Sequence, residues 1–507
     1  MMKKILTLVF SSLVTLLIVS CDDNFDDYNT NPDTTTTVTP EMLATGALKS
    51  SMLLGGDGKA YIGYNALPKY VAYIKEGAYD PQYNLIGSCS FASYHLLPNM
   101  EQMVAYAKGG DYEASFNGLA IFLKAFNAYR LTMMAGDIPY SDAGLGKKGN
   151  PKPKYDTQEN VFSRILEDLK AAEECFSKGH DFNGDFIYSG KVAKWRRAAA
   201  MMQLKVLMSL SEKITLEQKA RFAQIVAEGN LFQDNGDNMN VTYTIATGTW
   251  HPLYNQPLFD PWTVLSDVVI DEFKRLGDRR LFYYAEPSME QIKLGKNESD
   301  FDAYVGAYPM EDFDQLNLDY LANKYSVINN RYQAVMDGDP LSRLSYAEQC
   351  FILAEAVIHG WIGGDAATYY RQGVKAAMKM VAAYDTKFTY CHGMPITDEY
   401  INNYLAGEAA FALTDSDRLH QIWLQRYLLK FLQDGYDAYM EIRRTGYPVL
   451  RVNTATSLNV DNKSALPIRW KYPADEMQTN TDNVKEALSR QFTNGYDGIN
   501  ERMWLLK

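Results

Sequence analysis

The sequence predicts a mainly α-helical fold: a scaffold of helical hairpins interrupted by one long irregular insert, residues 232–335, that carries a binding surface. Apolar residues that step by three and four make the first case: Phe116, Leu119, Leu123, Phe126, Tyr129 and Met133 form one stripe. A second stripe (Ala347, Cys350, Phe351, Ala354, Val357, Ile358, Trp361) is answered across Gly363-Gly364 by a third (Ala367, Tyr370, Val374, Ala377, Val381), which predicts two antiparallel helices. Between these regions the period fails, and residues 232–335 are rich in Asn, Asp, Gly, Pro and aromatics. Long irregular segments inside compact proteins are usually functional.

The N-terminus reads as a processing signal. Lys3 and Lys4 precede an uncharged apolar run, Ile5 to Val19, of signal-peptide length. That run is short for a membrane-spanning helix, which needs about 20 apolar residues. Ile18-Val19-Ser20-Cys21 matches a bacterial lipobox. Residues 1–20 are then a lipoprotein signal peptide, and Cys21 is the lipid attachment site: diacylglycerol on the thiol and a fatty acyl group, such as palmitate, on the new amine. Several acyl chains make a durable anchor, since each buried methylene contributes about 0.8 kcal/mol. Residues 21–40 continue DDNFDDYNTNPDTTTTVTP, too polar to build a core, and read as a flexible acidic and Thr-rich tether.

From Pro40 the chain turns helical, and residues 41–507 are expected to form one domain. Glu41–Leu54 shows a helical period ended by Gly55-Gly56, and Tyr61–Tyr83 reads as a helix followed by an irregular segment. The Phe116–Met133 helix stops at Gly136, and GDIPYSDAG is a loop. Asp156 with Glu159 three residues on predicts a capping box ahead of Val161, Ile165, Leu169, Ala172 and Phe176. Helices are expected over 191–210 and 216–229, and within the insert over 262–276. They resume at Ser342, and Asp365 is placed to cap the helix after Gly364. The 342–361 and 365–381 pair, with small residues at the seam and an aromatic near the turn, resembles a tetratricopeptide-like hairpin, although no fixed-period repeat runs through the chain. The last long helix is expected over 417–433, continuing over 436–443 after Gly435, with a mostly irregular tail past Tyr447.

Charge narrows the function. The net charge of −12 becomes −14 once Lys3 and Lys4 leave with residues 1–20. That argues against nucleic acid, which calls for a basic face, and leaves acylation at Cys21 as the membrane contact. Cys89, Cys175, Cys350 and Cys391 match no zinc spacing, and Cys175 and Cys350 fall in apolar helical patterns, so buried free thiols are expected. No cofactor or catalytic motif stands. Gly144, Gly146 and Gly149 have no strand before them and no helix start after them. Asp181, Asn183 and Asp185 begin like a calcium loop but meet Phe186 where Gly is required, so a polar turn is expected. Cys391-His392 are adjacent in a loop, a poor geometry for nucleophile and base. Carboxylates are abundant, but no glycosidase pair stands out.

Several stretches together resemble the SusD/RagB family of Bacteroidetes outer-membrane lipoproteins: the lipobox and NTNPD tether; GDIPYSDAG followed by PKYDTQENVFSRILEDLKAA; KWRRAAAMMQLKVLMSLS; LSYAEQCFILAEAVIHGW, with Glu348 and Glu355; DGYDAYMEIRRTGYPVL; and LPIRWKYPADE. They span residues 18–483, with only loose likeness over 232–335. The resemblance implies a non-catalytic, surface-exposed outer-membrane lipoprotein that captures an oligosaccharide, or in some members a peptide, as a lid on a SusC-like TonB-dependent transporter. A surface glycoside hydrolase and a purely structural scaffold are the other readings.

Sugars offer apolar C–H faces edged by hydroxyls, so aromatic rings beside amides and carboxylates are the pattern to seek. Within GTWHPLYNQPLFDPW, Trp250, Tyr254 and Trp262 lie among Asn255, Gln256 and stiffening prolines. Tyr304 and Tyr308 form a second candidate group, Tyr79 and Tyr83 a third. Tyrosine, at 36 residues against 22 Phe, suits such wet surfaces. Trp195, Trp361 and Trp423 sit in helical patterns and are assigned to the core; Arg443 and Arg444 are expected to pin the C-terminal structure.

Overall fold

Thr39 opens the first helix by accepting a hydrogen bond from Met42 N, and Pro40 supplies the fixed φ favoured in a first turn. From there the computed structural model, which describes residues 38–54, 58–75, 80–256, 260–385 and 387–507, is built mainly of helices. They are α1 (Pro40–Met52), α2 (Gly58–Ala66), α3 (Leu97–Ala107), α4 (Glu113–Ala135), α5 (Gln158–Lys178), α6 (Val192–Ser209) and α7 (Leu216–Glu228). The insert adds α8 (Asp267–Leu276), α9 (Arg280–Tyr284), α10 (Met289–Lys293), α11 (Phe313–Leu321) and α12 (Arg331–Ala334). The scaffold resumes with α13 (Tyr346–Ile358), α14 (Ala366–Ala382), α15 (Asp398–Ala406), α16 (Asp415–Leu429) and α17 (Gly435–Thr445), and the tail carries α18 (Ala474–Thr479) and α19 (Thr481–Gln491). The mainly helical fold is as expected; the tail is more regular than its sequence implied.

The hairpins pack as the stripes require: α4 on α5, α5 on α6, and α13 on both α14 and α16. Small residues set the closest approaches. A Cβ on Gly373 of α14 would come within 2.6 Å of the Phe351 ring on α13, and one on Gly118 of α4 within 2.9 Å of Phe176 on α5. Asp365 caps α14 by accepting from Ala367 N and Thr368 N. At α5 the cap is Thr157, one residue later than the sequence implied, accepting from Asn160 N. Asp156 instead takes Tyr140 N, Ser141 N and the Ser141 hydroxyl, closing the GDIPYS loop onto the start of α5. Asp185 accepts from Ile187 N, Tyr188 N, Gly190 N and the indole of fully buried Trp195, so the calcium-like stretch is a polar turn. The four described cysteines are free, three of them buried and Cys175 half-buried. Arg443 donates to Met133 O and Ile468 O and so ties the tail to α4.

The scaffold helices meet around buried charge. Glu348 and Glu355 of α13 are 1% and 0% exposed. Glu348 takes Lys205 of α6 at 2.8 Å and Lys430 at 3.0 Å; both amines also reach Asp437 of α17. Glu355 takes both Arg444 amines at 2.7 and 3.0 Å, Arg426 at 3.1 Å and the Trp423 indole at 3.0 Å. Burying a balanced set of this kind is close to neutral for stability, whereas removing one member costs about 3–5 kcal/mol.

Two short ribbons join the insert to this scaffold. Strand β2 (Met239–Val241) pairs antiparallel with β4 (Leu341–Leu344) through a bulge at Met239/Asn240, so the insert leaves and returns at one place. Strand β1 (Val71–Tyr73) pairs antiparallel with β3 (Thr263–Leu265). The helix expected over 262–276 is therefore a strand to Leu265 followed by α8, because Ser266 caps α8 through Val269 N. The insert is also less irregular than its sequence predicts. Its helices α9, α10 and α12 are only four or five residues long and are set by tertiary contacts rather than periodicity.

Candidate functional site

A hollow of about 770 Å³ opens within the insert between α10, the 296–298 loop and the end of α11. Three of its lining residues, Tyr320, Tyr325 and Val327, pack on a small satellite core: Ala72 and Ile74 from the β1 region, Val264 from β3, Ala307, and Leu316 from α11. Fully burying a side chain such as Leu316 contributes about 1.5–3 kcal/mol, so this core is a stable backing.

Local hydrogen bonds then aim the walls. Asp312 caps α11 through Asp314 N and Gln315 N. Where α11 ends, Asp319 accepts from the Tyr325 hydroxyl at 3.1 Å and from Lys324 Nζ at 2.7 Å, which turns Tyr320 and Tyr325 toward the same side. The Ser288 hydroxyl accepts from Gln291 N to start α10 and donates to Asn323 O, joining opposite walls. Asn323 holds this turn at φ 60°, a left-handed conformation that Asn tolerates. The Tyr320 ring lies 5.1 Å from Trp262 at 34°, and its hydroxyl donates to Pro261 O at 2.6 Å. Lys75 Nζ sits 5.5 Å from the Trp262 ring centre. Burial, and for Tyr325 the neighbouring Asp319 carboxylate, raise both tyrosine hydroxyls above their ordinary pKa, so they remain protonated donors.

The polar wall carries Glu286, Asn297, Glu298 and Lys296. The His392 imidazole lies between the two carboxylates, with Nε2 3.4 Å from Glu286 and Nδ1 3.4 Å from Glu298. Rings on one side and amides and carboxylates on the other suit an uncharged, hydroxyl-rich ligand with apolar faces. Among the described residues no group of His, Cys, Asp and Glu has the geometry to hold a metal ion, and no helix is long and apolar enough to cross a membrane.

The residues selected from sequence separate into distinct places. Trp262 does not line the hollow but packs behind its Tyr320 ring. Tyr304, however, is fully buried: its ring stands 6.2 Å from His392 and its hydroxyl donates to Glu298 O, so it shapes the wall from behind rather than meeting a ligand. Tyr83 is 1% exposed and donates to Glu311 O, fastening the insert to the scaffold; it too is a packing residue. Tyr308 is half-buried beneath Arg451, 4.4 Å from its ring, and that guanidinium pairs with Asp267. Trp250, 40% exposed, and Tyr254 form an edge-to-face pair at 5.4 Å. Their segment is clipped to residues 333–336 by His251 N to Met336 O and Asn255 N to Gln333 O; Asn255 itself is exposed. None of Trp250, Tyr254, Asn255 and Tyr308 lines the hollow. Tyr79 and Cys21 lie outside the described residues.

Sequence reasoning missed Tyr320, Tyr325, Asn297, Asn323, Glu286 and Glu298, and weighed His392 only as a base beside Cys391. The stretch NLDYLANKY, residues 317–325, offers the same mixture of rings and amides as 250–262 and would have answered the same criterion. Nothing local marks His392, which comes from beyond the insert.

Comparisons with known proteins agree with this architecture. A family model described as starch-binding, associating with outer membrane, matches residues 32–473. A SusD homologue from Bacteroides fragilis is 40% identical, superposes with a TM-score of 0.87, and the match covers 93% of this chain and 100% of that one. A second SusD homologue from the same species is 29% identical, with a TM-score of 0.81 over 93% of this chain and 100% of that one. A chitin-binding protein, 24% identical over 92% of this chain and 99% of that one, shares the fold at a TM-score of 0.72. Comparison with curated proteins gives no match.

Proposed function

Because this chain belongs to the SusD-like family, we propose that it is a non-catalytic outer-membrane lipoprotein that captures oligosaccharides and hands them to a SusC-like TonB-dependent transporter. The observation that carries the reading is the hollow of about 770 Å³ lined by Tyr320 and Tyr325 and by Asn297, Asn323, Glu286 and Glu298, with Trp262 packed behind Tyr320. Its volume suits a segment of a few sugar units, and its rings suit their C–H faces. The family description, starch-binding, and the chitin-binding neighbour favour a glycan over a peptide. Glu286 and Glu298 lie on one wall with an imidazole between them instead of facing each other across a cleft, which favours capture over hydrolysis. Acylation at Cys21, with the 21–40 tether as a leash, would keep the hollow beside the transporter at high effective concentration.

The test is isothermal titration of soluble oligosaccharides into residues 22–507 and into the Tyr320→Ala and Tyr325→Ala variants. Loss of one stacking ring is expected to weaken binding about two- to tenfold. Equal affinity in both variants, or release of shorter sugars by the purified chain, would overturn the proposal.

A further inference from the structure

The hollow of the insert is lined by more than rings and polar groups. Met289 of α10 and Leu321 of α11 line it while 51% and 61% exposed, and half-buried Ile292 joins them. Leu318, one turn before Leu321 on the same helix, is exposed too. Side chains of this kind are ordinarily drawn into cores. An exposed apolar group rimmed by polar residues marks a binding groove. Stacking on a sugar face calls for flat rings, here Tyr320 and Tyr325. Flexible and branched aliphatic chains instead enclose a small apolar group such as a methyl.

The polar side offers mainly acceptors. The Tyr320 hydroxyl already donates to Pro261 O, and that of Tyr325 to Asp319. Lys296 pairs with Asp302 at 3.5 Å. Glu286 accepts from Asn330 N at 2.7 Å through one oxygen and faces His392 with the other, while Glu298 faces the second nitrogen of that ring. An ionised carboxylate is acceptor-only with about four lone-pair positions, so both can take further N–H or O–H donors. Asn297 and Asn323 add amides that donate as well as accept. A group that suits both sides has an N–H to give, a carbonyl to receive and a methyl to bury.

We propose that the hollow selects oligosaccharides of N-acetylated amino sugars. The acetamido methyl packs against Met289, Ile292 and Leu321, its N–H is donated to the Glu286 and Glu298 wall, and its carbonyl accepts from the Asn297 and Asn323 amides. This inference rests on the capture reading and narrows its ligand. An O-acetyl ester brings the methyl without the N–H, and a free amine brings the N–H without the methyl, so neither satisfies both sides.

The experiment is isothermal titration into residues 22–507 of chitotetraose and cellotetraose, chains of one length and linkage that differ only in an acetamido group in place of a hydroxyl on each sugar. Chitotetraose is expected to bind about tenfold or more tightly. Fully deacetylated chitotetraose and tetra-alanine are the amine and peptide controls, and both should bind more weakly than chitotetraose. Met289 and Leu321 are exposed, so a double Met289→Gln, Leu321→Gln variant should keep the melting temperature of the parent. It should lower the ratio of chitotetraose to cellotetraose affinity about threefold or more. A ratio near one, tighter binding of the amine or the peptide, no binding of either tetraose, or a ratio unchanged in the double variant overturns the inference. Equal affinity for the two tetraoses leaves the capture reading standing, whereas failure of every soluble oligosaccharide removes both.

Discussion

Replacing Glu355 by Gln removes one charge from the buried lattice and almost nothing from its volume. The carboxylate accepts two hydrogen bonds from Arg444, one from Arg426 and one from the Trp423 indole. A Gln keeps one acceptor oxygen and turns an amide NH₂ toward a guanidinium. Removing one partner of such a buried set costs about 3–5 kcal/mol. Unfolding entropy is about 2.1 cal/mol/K per residue, so for a chain of this length each kcal/mol lowers the melting temperature by about 1 °C. The expected drop at pH 7 is therefore about 3–5 °C by calorimetry. The acid response fixes the sign of the charge term. Burial pushes the Glu355 carboxyl up, but Arg444, His359 and Arg426 outweigh it and hold its pKa well below the ordinary value of 4.5. The folded state then binds fewer protons than the unfolded one at low pH, so the stabilisation is complete above about 4.5 and is lost as pH falls further. The melting curves of the parent and Glu355→Gln should converge below that value. A drop smaller than about 1 °C at neutral pH, or a gap that widens on acidification, would refute the view that Glu355 is the buried charge that balances Arg444 and Arg426.

His251 gives a second pH test: burial lowers its pKa from 6.5 to about 4, and its Nδ1 accepts from Leu253 N, so the folded state holds it neutral. Stability is full above pH 6.5 and lost as pH falls toward 4; relative to His251→Gln, the parent should lose melting temperature across that window, and a constant difference would sink the assignment. Cys21→Ala should leave the purified chain able to bind oligosaccharide but absent from the outer-membrane fraction; a variant that still fractionates with the outer membrane would remove Cys21 as the anchor.

Much of the scaffold could be read from sequence because its signals are local. The α4 stripe, the α13–α14 hairpin and the Asp365 cap depend on residues within a few turns of one another. The misassigned cap at α5 shows the limit. Asp156 and Thr157 are both good capping residues, and the choice was made by Tyr140 and Ser141, which recruit the aspartate from fifteen or sixteen positions away. The strand at 263–265 exists because Val71–Tyr73 pairs with it, a partner no local pattern announces. The site was legible in kind but not in detail. An aromatic-rich insert did hold the hollow, yet ring content says nothing about which rings face outward. Tyr83 and Tyr304 went to the core, while Tyr320 and Tyr325 were left at the wall. His392 joined Glu286 and Glu298 only through tertiary contact.

The ribbon of β2 and β4 gives the insert the architecture of an exchangeable cassette. Because Val241 and Leu341 are register partners, about a hundred residues can change without altering the distance the scaffold must bridge. A lineage could acquire a new binding surface by rewriting this segment while retaining the helices and the charge lattice. The exchange has one condition: a replacement must still present a strand to Val71–Tyr73, since that edge also supplies Ala72 to the satellite core behind the hollow. A graft designed in the laboratory would have to respect the same seam.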